Sequence, residues 1–315
     1  MLPQKNTEYD EMNKKVTIGL CVKNAARVLK IAFQSISIQD YPHEFLKLVI
    51  VDDGSSDNTL SLAMKFARET DIKTFVTSSK GEGLAATRQI AVDNAEGDYI
   101  VWLDDDLVLS KDFIREEVEF MERNSNIGAA CGKEIVITPK TIAGILEYGS
   151  LTATHLQNPK NIGTGGSIFR LKALEIAGGF DTRIKGAGED LDVSYRIRKS
   201  GWALSIVNSA VYSMKYPPAT LRALWKKHFS YGYANHYLFH KNKEKGFVLE
   251  YFPPIALLLG FRNSYAISRL TNIKNGFVFA ILHFIITVAK FDGFINSHLD
   301  GYGHADGKVK QSLGF

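Results

Sequence analysis

Apolar residues fall in short unbroken runs along the first hundred positions. Val16–Val22 (VTIGLCV), Leu46–Val51 (LKLVIV), Ile72–Thr77 and Asp98–Leu103 (DYIVWL) read as buried strands. Between them, Ala25–Ile38, a segment capped by Asp57 and running toward Glu69, and Leu84–Asn94 read as helices. Strands apolar throughout, alternating with helices, predict a parallel sheet covered on both faces. Two of the strands run straight into acidic residues, Asp52-Asp53-Gly54 and Asp104-Asp105-Asp106. In open α/β sheets that edge is where ligands bind.

After Lys111 the rhythm changes. Phe113–Arg123 reads as a helix, Gly128–Thr138 as a strand, and Gly163–Phe169 as a glycine-rich extended stretch. Leu191–Ser200 reads as a helix and Ala203–Val207 as a strand. Pro217-Pro218 and Pro253-Pro254 mark breaks on either side of a helical stretch, Leu221–Phe239. The expected organisation is a polar extension over 1–15, an α/β catalytic domain over 16–215 and a mostly helical region over 216–315. Gly276–Lys290 encloses a 13-residue apolar run. That is short of the roughly 20 residues a spanning helix needs, so a buried or interfacial helix is expected.

With 45% hydrophobic and 23% charged residues, the 315-residue chain is of globular composition, which excludes wholesale disorder. The net charge of +4 is unevenly spread. Residues 216–315 carry a surplus of +7 and the rest sums to −3. A basic half next to apolar segments suggests contact with something anionic, a membrane surface or a phosphate-bearing acceptor; scattered solvated lysines give the same count. Two cysteines, Cys21 and Cys131, make no disulfide framework and are expected as buried free thiols in a reducing compartment. The polar start of the chain does not read as a signal peptide. Six of eight histidines follow residue 216, and His236 and His240 lie one helical turn apart. No H-E-x-x-H or Cys/His spacing is present, which argues against zinc and leaves these side chains solvated or on a basic acceptor face.

The acidic clusters carry the candidate chemistry. Asp104 and Asp106, at i and i+2 past a strand end, can turn to one side and hold a hard cation. Such a cation neutralises a departing diphosphate. A helix-capping turn would read the same way. Asp52-Asp53-Gly54 can accept from a base N–H or a ribose hydroxyl, or simply form a βα turn. Glu189-Asp190 opens a helix after the glycine-rich Lys185–Gly188. There the helix dipole keeps a carboxylate ionised, and Asp190 can serve as a general base or as an N-cap.

The ordered set VTIGLCVKN (16–24), SISIQDYP (35–42), VIVDDGSSDNT (49–59), GEGLAATRQIAVDNAEGDYIVWLDDDL (81–107), GTGGSIFR (163–170), GGFD (178–181) and GEDLDVSYRIRKSGW (188–202) resembles the inverting family-2 glycosyltransferases. The resemblance covers about two-thirds of the chain. It implies the GT-A fold, a Rossmann-like mixed α/β sheet with helices on both faces, to which the helical C-terminal region read from the sequence is added. It implies that Asp52 and Asp53 hold the nucleoside, that Arg88 lies near the pyrophosphate, that Asp105 belongs to the donor-binding set, and that Gly165 and Gly166 let the backbone approach the donor sugar. Asp104 and Asp106 would take ribose and Mg²⁺ or Mn²⁺, and Asp190 would be the base, with Glu189 beside it. Gln89 and Ala91 depart from the family's Asn and Gly. Val211–Lys215 lacks the family's metal-binding histidine, and the processive Q-x-x-R-W signature is missing.

The expected partners are a UDP-, GDP- or dTDP-linked sugar and a glycan or lipid-linked acceptor, with no nucleic acid. The expected setting is cytoplasmic, with 216–315 making peripheral membrane contact on the cytoplasmic face or a homodimer.

Overall fold

A computed structural model describes residues 14–135, 159–184, 186–214, 220–242, 254–255, 257–258, 260–261 and 276–301. Lys215, Pro217, Pro218, Pro253, most of the 1–15 extension and the end of the strand expected to reach Thr138 lie outside them. The chain divides into two compact units. The first holds residues 1–137, 157–185 and 189–215; the second holds 138–156, 186–188 and 216–315.

The first unit opens as the apolar runs predict. Strand β1 (Val16–Val22) leads to helix α1 (Leu29–Ser37), β2 (Leu46–Asp52) to α2 (Thr59–Glu69), β3 (Lys73–Ser78) to α3 (Leu84–Asp93), and β4 (Tyr99–Leu103) follows. All five β4 residues are buried. β1 pairs in parallel with β2 and β4, and β2 in parallel with β3.

The remaining strands turn this parallel start into a mixed sheet. They are β5 (Leu107–Leu109), β6 (Ile127–Glu134), β7 (Ser167–Arg170) and β8 (Ala203–Met214). β7 runs antiparallel to both β4 and β6, and β5 antiparallel to β8. The order across the eight strands is β3-β2-β1-β4-β7-β6-β8-β5. Helices α4 (Phe113–Arg123), α5 (Leu171–Ala177) and α6 (Glu189–Lys199) complete the unit.

Close packing fixes the centre. Phe33 of α1 stacks on Phe66 of α2 with ring centroids 4.1 Å apart. Gly19 of β1 sits opposite Trp102 of β4, and a Cβ at Gly19 would lie 2.6 Å from the indole. The absent side chain makes room for the buried ring, which meets Phe180 edge-on at 5.4 Å. Arg170 ties β7 to β4, β6 and α4. It donates to Tyr99 Oη at 2.9 Å and to the Met121 and Ile127 carbonyls.

In the second unit, α7 (Leu221–Asn242) packs on α8 (Gly276–Leu299). The helices touch at Gly232 and Gly293. A Cβ at Gly232 would collide with the Lys290 carbonyl, and one at Gly293 with the Phe229 carbonyl. The expected apolar segment 276–290 is thus the first part of a longer helix. Among the described residues, no helix is long and apolar enough to cross a membrane.

Candidate active site

The C-terminal edge of the parallel strands gathers the predicted carboxylates. Asp52 ends β2 and is buried. Its Oδ2 accepts from the Ser55 amide at 3.0 Å and from Ser78 Oγ at 3.1 Å, while its Oδ1 is buried without a hydrogen-bond partner. Asp53 is equally engaged. Lys23 Nζ lies 3.1 Å from its Oδ2, and Ser79 Oγ and the Gly83 amide donate to its Oδ1 at 2.7 and 3.2 Å. Both carboxylates are therefore held in place by the loops after β1, β2 and β3. The loop after β1 docks through Asn24, which adopts a left-handed φ of 52° and accepts from the Ser56 amide at 2.9 Å.

Asp104, Asp105 and Asp106 form a turn between β4 and β5, closed by the Leu107 amide on the Asp104 carbonyl. Burial, then repulsion from Asp106 and Asp104, pushes the Asp105 carboxyl up to about 6. A hard divalent cation would relieve that repulsion, and the half-buried aspartates would supply the oxygen donors it takes. The residues thus fit Mg²⁺ or Mn²⁺.

Arg88, on α3, is the hub. Its guanidinium is buried, pairs with Glu189 at the start of α6, and lies 3.3 Å from Asp104 Oδ1. It also sits over the Trp102 ring at 6.0 Å. One arginine therefore links the β4 edge to the α6 helix start. Glu189 is almost fully buried and engaged with Arg88, so it positions that arginine.

Asp190 follows it, half-buried, with Oδ1 accepting from the Leu191 amide at 2.8 Å. Burial raises its pKa, and the positive charge of Arg88 partly counters the shift. The loop before β7 lies against both groups. A Cβ at Gly165 would stand 2.6 Å from Asp104 Oδ2, and one at Gly163 3.7 Å from Asp190 Oδ2. Gly166, at φ +66°, packs its bare Cα against the Tyr212 ring. The structure thus brings Arg88, Asp104, Gly165, Glu189 and Asp190 together, with Asp52 and Asp53 at the same sheet edge, at the end of β2 and one strand removed from β4.

The glycosyl transferase family group 2 model matches residues 99–295, more than half of the chain, and the glycosyl transferase family 2 model matches residues 17–164. The chain belongs to the family-2 glycosyltransferases. Over 230 residues the chain is 25% identical to a poly-beta-1,6-N-acetyl-D-glucosamine synthase of Staphylococcus epidermidis, covering 70% of this chain and 54% of that protein. It has the same identity and coverage against the synthase of Staphylococcus aureus strain COL. The chain spans about half the length of these curated relatives.

Among solved structures it is similar to the mannosyltransferase PcManGT of Pyrobaculum calidifontis, in complex with GDP-Man and Mn²⁺. The TM-score is 0.69 at 17% identity, covering 91% of this chain and 88% of that one. It is also similar to S. aureus TarS 1–349, with a TM-score of 0.54 at 16% identity and coverage of 87% and 81%. The fold is GT-A.

One of the chain's departures from the family pattern has a structural role. Gln89, where many members carry Asn, accepts from the Phe180 amide at 2.6 Å and donates to Asp93 at 2.7 Å, tying α3 to the GGFD segment. Lys215, considered as a phosphate contact in place of the missing histidine, lies outside the described residues. Three groups escaped the sequence reading. Lys23 contacts Asp53; only the Val-Lys-Asn after β1 hints at it. Asp192 is buried and paired with Arg196 at 2.6 Å, an i,i+4 pair visible in the sequence. Ser78 and Ser79 carry no recognisable signal. Both thiols are free: Cys131 is buried and Cys21 half-buried.

Proposed function

We propose that the protein transfers a single sugar from a nucleoside-diphosphate sugar to an acceptor hydroxyl, with inversion, in the assembly of a cell-surface glycan. The observation that carries this reading is the Arg88 hub. One guanidinium touches the Asp104 turn and Glu189, immediately next to Asp190 and beside the Gly163–Gly166 loop.

That geometry supports the roles the family resemblance implies. Asp52 and Asp53, held in advance by serines, a lysine and backbone amides, receive the nucleoside. Asp104 and Asp106 would hold Mg²⁺ or Mn²⁺, which would supply positive charge to the diphosphate. Gly165 leaves the backbone bare where the donor sugar approaches. Asp190 takes the proton of the acceptor hydroxyl. The acceptor oxygen bonds to the anomeric carbon as the bond to the diphosphate breaks on the opposite side. The leaving oxygen carries away the electron pair, and Arg88 faces the developing charge. Glu189 keeps Arg88 in register. The surplus of positive charge in 216–315, with Phe291, Ile295 and Leu299 exposed at helical spacing on α8, supports peripheral contact with an anionic membrane.

A thermal-shift panel of UDP-, GDP- and dTDP-sugars with and without Mn²⁺, followed by measurement of nucleoside-diphosphate release, tests the reading. One donor class should raise the Tm more with Mn²⁺ than without it. Asp190→Asn should keep that shift and lose turnover. No shift with any donor would overturn the proposal. Full turnover by Asp190→Asn would point instead to an acceptor whose oxygen is already ionised, such as a polyprenyl phosphate.

A further inference from the structure

The second unit places three imidazoles at one point. His236 and His240 stand one turn apart on α7, and His298 comes from the last turn of α8. His236 Nε2 lies 3.2 Å from His298 Nδ1 and 3.1 Å from His240 Nε2. One nitrogen from each ring falls within 4.8 Å of the others. His236 is fully buried, whereas His240 and His298 reach solvent.

A ring nitrogen has one in-plane valence to offer, a lone pair or a hydrogen. His236 Nε2 faces two other nitrogens at hydrogen-bond distance. It cannot make a well-directed hydrogen bond to both. A cation in the space among the three lone pairs satisfies all of them at once. The spacing agrees: two nitrogens at about 2.0–2.1 Å from a tetrahedral ion stand about 3.3 Å apart. The close crossing at Gly232 and Gly293 is what brings the third histidine within reach, because a side chain at either position would push α7 and α8 apart. The Phe294 ring stands edge-on to His236 at 4.9 Å and shields that side of the cluster.

We propose that His236, His240 and His298 form a binding site for a divalent transition-metal ion of the zinc class. The ion would clamp α7 to α8, with a fourth position left for water or a further ligand. Imidazole nitrogen selects Zn²⁺, Co²⁺, Ni²⁺ or Cu²⁺ over the hard cations suited to the aspartate turn. The two metal preferences are therefore chemically separate within one chain. The proposal does not depend on the glycosyltransferase reading, since none of its ligands belongs to the carboxylate cluster.

The test uses untagged full-length protein titrated with Co²⁺ and with Zn²⁺, in excess Mg²⁺ so that the aspartates stay occupied. The intact protein should bind one equivalent, and the Co²⁺ form should show the intense visible absorption of a tetrahedral nitrogen-ligated ion. H240A and H298A alter exposed residues, so their folding can be checked by circular dichroism. Each should weaken binding by at least the roughly 10–100-fold that losing a mere supporting contact costs. Zn²⁺ should raise the Tm of the intact protein and not that of the double variant. A protein that takes up no Co²⁺ or Zn²⁺, or a folded double variant that binds as tightly as the parent, would overturn the site.

Discussion

Glu189 is joined to Asp104 through the guanidinium of Arg88, which contacts one carboxylate at each end. The link makes the helix start carrying Asp190 and the turn carrying the three aspartates a single electrostatic unit. Arg88→Ala should cost about 10²–10³ in kcat, the usual effect of losing one donor to a developing charge. It should also destabilise the fold by roughly 3–5 kcal/mol, because Glu189 is left buried and uncompensated. Arg88→Ala combined with Glu189→Gln should recover much of the stability and none of the rate. Urea unfolding next to steady-state kinetics separates the two effects.

Asp190 sets a second expectation. Its carboxyl is raised above the ordinary Asp value by burial. A base must be ionised to act, so kcat/KM should fall as pH drops through a pKa higher than that of a free aspartate. An acidic limb at or below the ordinary value would exclude this residue as the base. Asp190→Asn should cost about 10²–10⁴ in rate.

The same shift has a consequence for stability. Because the folded-state pKa is the higher one, the wild-type protein loses stability as pH rises from the unfolded-state value to the folded one. Above both values the full cost of the buried charge is present. Asp190→Asn removes that cost, so its Tm should equal or exceed the parent's at neutral pH. The gap should close below the ordinary Asp pKa. Melting curves across pH read this directly, and a candidate base whose loss stabilises the fold fits the trade between stability and function.

The aspartate turn predicts metal dependence with a defined ligand set. Chelation should abolish turnover, and Mn²⁺ or Mg²⁺ should restore it. Asp106→Asn should raise the metal concentration needed by about 10–100-fold or more. Rescue of the chelated enzyme by Zn²⁺ alone would count against an oxygen-ligated hard cation.

Gly19 offers a purely structural check. A methyl group there would press on the Trp102 ring, 2.6 Å from the added carbon. Gly19→Ala should destabilise by about 1–3 kcal/mol, the usual cost of overpacking. Gly19→Ala with Trp102→Phe should recover part of it. The midpoint of denaturant unfolding would register both.

Much of the first unit was legible because β1, β2 and β4 are apolar on both faces and end in charge. That signal survives without any partner strand in view. β7 was harder, since Ser167–Arg170 follows glycines whose role is spacing, and its antiparallel pairing depends on contacts distant in sequence. β5 is three residues long and has no periodicity to read. The carboxylates were visible as residue types at strand ends, but the Arg88–Glu189 pair joins positions 101 residues apart, and nothing local announces it. The histidines show the same limit. His236 and His240 are an obvious i,i+4 pair, yet His298 enters only through a helix crossing made by Gly232 and Gly293, and no spacing rule anticipates it.

Gly165 restricts how this enzyme's lineage can diversify. Every other amino acid at that position would put a Cβ 2.6 Å from Asp104 Oδ2, so the aspartate would have to move. Natural drift in sugar preference must therefore pass through other residues. Directed evolution that randomises the loop should recover glycine at 165 in every active clone, while the surrounding positions vary.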